Sequence, residues 1–362
     1  MELLKIDSQT KNTSGVNLAQ EYLYSLFSDL GLVSETYKHK ESGRFYVYRS
    51  SELRTNNPTV LLSGHVDTVL PARDVTIRGD KLLGSGACDM KAGIMTIYEA
   101  LSDLRGEGKL ANVIVAISPE EEVGTPNYAT LLKKLSKEAE YALVFEANKS
   151  RGGLTLLDSR KGAILYEIHI EGPGGHSGEI VNKEDRVSVN FAIAEIIKKI
   201  ERLADYSLGT TLNIGTIQSG SAVNVLADNA KLTGEARYLT YPEQSRLKNG
   251  LTQIVKETRN NHKLESQIKY KAEFPIFVKN RSNKLNSFAR ASANRLGQDL
   301  NFTVGYGSSE ANILSEGNHN LQILDGLGPF GEGEHTEKEF VSISSYEMSI
   351  KFTKMLLDKL WS

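Results

Sequence analysis

Thr59-Val60-Leu61-Leu62-Ser63-Gly64-His65-Val66-Asp67-Thr68 is the stretch that orients the reading of this chain. A short run of β-branched and aliphatic residues gives way to glycine, histidine and aspartate. Two later stretches repeat the design. Residues 113–117 lead into Pro119-Glu120-Glu121-Glu122-Val123-Gly124, and residues 141–145 lead into Glu146-Ala147. Apolar runs this short suit central strands of a parallel sheet, buried on both faces. In an open α/β sheet the carboxyl ends of such strands converge on one crevice. The three stretches therefore predict an α/β layer that delivers a histidine and several carboxylates to one place.

The surrounding sequence fills in that layer. Apolar residues recur with helical spacing over residues 15–30, and Gly31 ends that helix. Residues 45–48 read as a strand, 82–88 as a glycine-rich loop, and 90–104 and 127–135 as helices. The pattern changes after about Arg160. Strands over 163–170, 210–217, 231–239 and 266–272 and helices over 187–203 and 243–259 follow in the order β-α-β-β-α-β. That is the split-βαβ, ferredoxin-like arrangement. It predicts an inserted domain of residues 161–275 within a first domain of residues 1–160 and 276–362. The chain then returns to α/β character. Helices are predicted over 285–296 and 345–360, and a strand over 321–324 leads into a glycine-rich segment, 326–333, just before His335.

Composition bounds the class. The 362 residues are too many for one ordinary core, and 40% hydrophobic with 24% charged residues is the range of a soluble globular protein. A net charge of −2 gives no broad attraction to nucleic acid or membrane, and no apolar run is long enough to span a bilayer. The N-terminus lacks the basic start and apolar stretch of a signal peptide. The single cysteine, Cys88, excludes an intrachain disulfide and suits a reducing compartment, so a cytoplasmic protein is expected. There is no G-x-S-x-G elbow, no P-loop and no H-E-x-x-H helix.

The candidate residues each carry two readings. In His65-Val66-Asp67 one ring nitrogen can bind a metal while the carboxylate fixes the tautomer through the other; the same residues also suit an ordinary loop. Asp89, after Gly84-Ser85-Gly86-Ala87-Cys88, is a helix N-cap or a ligand. Lys91 reads as a solvated charge. Glu120, Glu121 and Glu122 repel one another, and a cation would relieve that repulsion. One could then bind metal while a neighbour deprotonates water. Glu146 leaves a buried strand and needs a partner, either a basic side chain or a metal. His176, in Gly172-Pro173-Gly174-Gly175-His176-Ser177-Gly178, is a loop histidine or a catalytic one supplied by the second domain.

Together these motifs resemble the M20 family of zinc peptidases, most closely its carboxypeptidase G2-like (glutamate carboxypeptidase) branch. The resemblance runs along essentially the whole chain. It implies a catalytic domain with a mixed, mostly parallel sheet and a lid domain that also dimerises. It implies two Zn2+ per subunit, with Co2+ or Mn2+ as alternatives. Asp89 would bridge them, His65 and Glu146 would complete one site, and Glu122 and His335 the other. Asp67 would support His65, and a cis peptide would follow Asp89. Glu121 would be general base and acid on a metal-bridging water, and His176 would reach the partner subunit's site to stabilise the oxyanion. Asn224, Arg237 and Ser309 match substrate-binding positions, Arg237 being suited to a carboxylate.

The implied function is release of a C-terminal amino acid from a dipeptide or N-acyl amino acid. The alternatives are an N-acyl amino-acid deacylase of the acetylornithine or succinyl-diaminopimelate type, and a non-catalytic binding protein on the same scaffold. Two positions depart from the family pattern. Glu310 replaces an aspartate after Ser309, and Phe274 before Pro275 replaces an arginine of the glutamate-specific branch, which leaves the side-chain preference open.

Overall fold

The apolar runs become the centre of a six-stranded sheet in the computed structural model, which describes residues 1–182, 187–280 and 284–362. Its strand order is Leu32–Tyr37, Phe45–Ser50, Val113–Ser118, Val60–His65, Tyr141–Val144 and Gln322–Leu324. The first two pairings are antiparallel, and the last four strands run parallel. Register places His65 opposite Ser118 and Ser63 opposite Val144, so the parallel strands end level with one another. Every residue of Val60–His65 and Val113–Ser118 is buried, as helices on both faces require.

The helices form for local reasons. In Thr13–Asp29 the buried Val16, Ala19, Gln20, Leu23 and Phe27 follow the helical period, and Asn12 caps the start by accepting from the Gly15 N–H at 3.1 Å. In Ala92–Gly106 the residues Ile94, Ile97, Leu101 and Leu104 form the buried stripe. Gly93 lets this helix lie directly on the strand end that carries Glu146. A Cβ there would sit 2.2 Å from the Phe145 carbonyl oxygen.

The chain divides into Met1–Arg160 with Phe277–Ser362, and Lys161–Ile276. The second unit is a four-stranded antiparallel sheet in the order Thr211–Ser219, Asn229–Tyr238, Gly162–Glu171, Glu265–Phe274. Helices Val189–Glu201 and Tyr241–His262 cover its inner face, with Ile164, Tyr166, Ile168, Leu232, Leu247 and Leu251 in the shared core.

Several elements exceed the sequence reading. Leu154–Arg160 pairs in parallel with Leu300–Gly305. Its polar end hid it, yet Asp158 and Arg160 are buried because both have charged partners. Glu310–Gly317 is a short helix with a capping box between Ser309 and Asn312. A small antiparallel sheet joins Thr76–Arg78, Lys81–Leu83, Phe340–Ser342 and Gly331–Glu332.

Gly93→Ala is expected to lower stability by about 1–3 kcal/mol through overpacking, read as the midpoint of urea denaturation. Gly106→Ala, where a Cβ meets nothing within 4 Å, should stay within about 0.5 kcal/mol of the parent.

Candidate active site

Three of the four parallel strand ends place their following residues on one wall. His65 closes its own strand, Glu121 and Glu122 sit in a 3-10 turn after Val113–Ser118, and Glu146 follows Tyr141–Val144. Asp89 enters from the irregular turn Ala87–Lys91, and the Asp89–Met90 peptide is cis. His335 comes from the loop before Phe340–Ser342, with φ 61° in the left-handed region. The two oxygens of Asp89 face different histidines. Oδ1 lies 3.1 Å from His65 Nε2, and Oδ2 lies 3.0 Å from His335 Nε2. Glu122 Oε2 is 3.1 Å from His335 Nε2, and Glu146 Oε1 and Glu121 Oε2 are each 3.8 Å from His65 Nε2.

Buried carboxylates outside this set hold its backbone. Asp67 accepts the Glu121 and Glu122 N–H groups at 3.0 and 3.2 Å and a hydrogen bond from Thr10 at 2.8 Å. Its Oδ1 is 3.3 Å from His65 Nδ1, while its backbone oxygen is nearer at 3.1 Å. Glu120 turns away and accepts from the Asn127 backbone N–H and side chain at 2.6 and 2.8 Å. The glutamate run is thus divided, two toward the site and one into the scaffold. Lys91 overturns its expectation as a solvated charge. It is buried, donates to the Ile6 carbonyl at 2.9 Å, and burial pushes its pKa down to about 8.

Crowded negative charge dominates the electrostatics. Burial, then the charge of Asp89, pushes Glu146 up to about 8, and burial also raises Glu121 and Glu122. His335 is held up at about 11 by Asp89 first and Glu122 second. Burial opposes charge on His65, but Asp67, Asp89, Glu121 and Glu146 outweigh it and raise its pKa well above the ordinary value. Without a cation, protons must balance this cluster.

The donor set fits a metal. Ligand atoms of His65, Glu121 and Glu146 lie within 4.8 Å of one another, as do those of His65, Asp89 and Glu122. Two ligand atoms of one tetrahedral zinc lie about 3.3 Å apart, close to the 3.0–3.1 Å contacts of Asp89 and Glu122 with the histidines. Glu122 Oε1 is buried and has no hydrogen-bond partner among the described residues. The sequence matches the family described as Peptidase family M20/M25/M40 over residues 61–359, a span holding all six of these side chains.

The chain belongs to this peptidase family. It is an M20-type, metal-dependent peptidase or amidohydrolase. A Peptidase M20 domain-containing protein of Schizosaccharomyces pombe is 29% identical over 238 residues, a match that spans 63% of this chain and 56% of that protein's length. A succinyl-diaminopimelate desuccinylase of Rickettsia bellii is 22% identical over 95% of this chain and 91% of its own. The fold matches a tripeptidase of Staphylococcus aureus with a TM-score of 0.86 at 23% identity, over 99% of this chain and 96% of that one.

The remaining expected site residues are His176, Asn224 and Arg237 of the second unit and Ser309 of the first. His176 is exposed in the second unit, where its Nδ1 accepts the Gly178 N–H at 3.1 Å. The Asn224 carbonyl accepts from the Ser177 N–H at 3.0 Å, which brings the His176 and Asn224 loops together. Arg237 forms a two-pronged pair with Glu235, both contacts 3.0 Å. Ser309 is buried. Its hydroxyl donates to Asp325 at 2.7 Å and accepts the Ala311 N–H, while its neighbour Ser308 lines the cavity. Glu310, the departure from the family aspartate, is buried with Ser63 donating to it at 2.5 Å, and burial raises it to about 7.

Sequence reading missed Lys149, Arg160 and Tyr306, which are among the other residues lining this cavity of about 640 Å³. It also missed Asp325, which pairs with Arg160 at 2.5 Å. Asp325 directly follows the strand Gln322–Leu324, so the strand-end rule that found His65 and Glu146 applies to it as well.

Binding of a divalent cation should release protons, because the histidines and raised carboxyls must give theirs up. Apparent metal affinity should climb with pH through the region of Glu146, about 8, and on toward that of His335, about 11. Titration calorimetry in two buffers of different ionisation heat checks this, and equal heats would contradict it.

Proposed function

We propose that the chain is a metallo-exopeptidase of the carboxypeptidase G2-like kind, releasing a C-terminal amino acid from a dipeptide or N-acyl amino acid. The observation that carries this reading is Asp89, whose two oxygens face His65 and His335 separately. A carboxylate so placed is arranged to bridge two cations. His65 and Glu146 would complete one site, and Glu122 and His335 the other. Imidazole and carboxylate donors suit zinc, with cobalt or manganese accepted by the same set. Cations held there supply Lewis acidity, polarising the amide carbonyl and easing deprotonation of water.

The proton work falls to Glu121. It lies beside His65 at 3.8 Å, outside the short contacts of Asp89. Burial raises its proton affinity, as a base working near neutral pH requires. It takes the proton of the attacking water and returns it to the leaving nitrogen. Asp67 keeps Glu121 in place through the backbone. His176 of the partner subunit donates to the carbonyl oxygen. Asn224 and Arg237 hold the substrate carboxylate, which would take over the place of Glu235 on Arg237. Ser309 acts through Asp325. A homodimer is consistent with Thr211–Ser219, an edge strand of the second unit with mostly exposed residues. No helix among the described residues is long and apolar enough to cross a membrane; the single thiol suits the cytoplasm.

The long match to a desuccinylase supports a second reading, cleavage of an N-acyl amide on the same site. A hydrolysis panel of dipeptides, tripeptides and N-acyl amino acids with zinc present decides between them. On whichever substrate is cleaved, Glu121→Gln should lose roughly 100- to 10,000-fold in kcat with metal content unchanged. Near-normal turnover with metals bound would end the assignment. Mixed dimers of His176→Ala and Glu121→Gln subunits should regain activity that neither homodimer has, and no regain would remove His176 from the partner's site.

A further inference from the structure

Glu339 is buried and lies four residues beyond His335. Its carboxylate reaches across to the turn that carries Asp89. Oε2 accepts the Gly86 N–H at 2.9 Å, and Oε1 accepts the N–H groups of Cys88 and Asp89 at 3.0 and 3.1 Å. These three donors point inward from an irregular turn and need an acceptor, since unpaired buried N–H groups are costly. Main-chain pairing of Leu83 with Phe340 adds to the same junction. Arg73 ties the far side, donating to the Glu337 carbonyl and to the Glu339 carbonyl at 2.5 Å.

Asp67 does the equivalent work on the opposite side, gathering the Glu121 and Glu122 N–H groups. The two non-ligand carboxylates thus each clamp the backbone of one ligand-bearing turn. We infer that Glu339 is a positioning residue: it locks the Asp89 turn to the His335 loop and so fixes the separation at which Asp89 faces both histidines. The inference rests on the proposed ligand roles of Asp89 and His335. Carboxylate is the fitting acceptor because three N–H groups converge on it and each oxygen accepts. A glutamine keeps one accepting oxygen for Cys88 and Asp89 but turns an NH2 toward the Gly86 N–H.

Cys88 is the only cysteine of the chain and is buried within the clamped turn. It therefore reports on the clamp without any metal or substrate. The experiment compares full-length parent, Glu339→Gln and Glu339→Ala. It measures Cys88 labelling by Ellman's reagent on metal-free protein, cobalt affinity by absorbance titration, kcat and KM, and folded fraction by near-ultraviolet circular dichroism. Labelling should speed up about tenfold or more in Glu339→Ala, and cobalt affinity should fall roughly 10- to 100-fold. Glu339→Gln should lie between, with kcat at saturating metal reduced and KM changed less than about threefold. The inference is overturned if both variants label and bind cobalt like the parent, or if their losses only track a fall in folded fraction. A parent that binds no cobalt would end the metal-site reading instead, while the labelling rates would still decide the clamp.

Discussion

Repulsion among clustered carboxylates is the constraint around which this site is built. Asp89, Glu121, Glu122 and Glu146 line one cavity with His335, and His65 stands buried behind them. In a buried setting like charges cannot all ionise without compensation. Part of that compensation is visible: the histidines are driven toward their charged forms and the glutamates toward their neutral ones. Arg160 adds a buried positive charge, itself balanced by Asp325. An arrangement that must otherwise be neutralised by protons is an arrangement ready for divalent cations.

The fold supplies the crowding. Parallel strands ending in register bring His65, the Glu121-Glu122 turn and Glu146 to one level, a consequence of pairing His65 with Ser118 and Ser63 with Val144. What the strands do not supply is the backbone precision of the two turns. Asp67 and Glu339 provide it by accepting main-chain N–H groups. Their burial is stabilising only because each finds several donors.

Much of this was legible. His65, Asp89, Glu121, Glu122, Glu146 and His335 stood out at strand ends and glycine-rich loops, each open to an ordinary reading until the family resemblance joined them, and the structure brings their side chains together. Glu120 could not be separated from its neighbours by sequence, because which of three successive glutamates faces the crevice depends on the turn, here a 3-10 turn clamped by Asp67. Lys91 was misjudged because a lysine is buried only where its stem packs and its ammonium finds a carbonyl, here Ile6. Leu154–Arg160 escaped because its end reads as polar, and its charges became acceptable only once paired across the fold.

The sequence by itself determined the class of the molecule: apolar runs with fixed periods, chemistry-bearing residues at their ends, and an inserted β-α-β-β-α-β segment. Those are local properties, written in spacing and residue type. Only the tertiary structure decided which oxygen faces which nitrogen, that Asp89 looks both ways, and that Glu339 holds its turn. These contacts join residues up to 253 positions apart, as Glu339 and Gly86 are. No local periodicity encodes such separations, because they are set by how strands register and loops close upon one another.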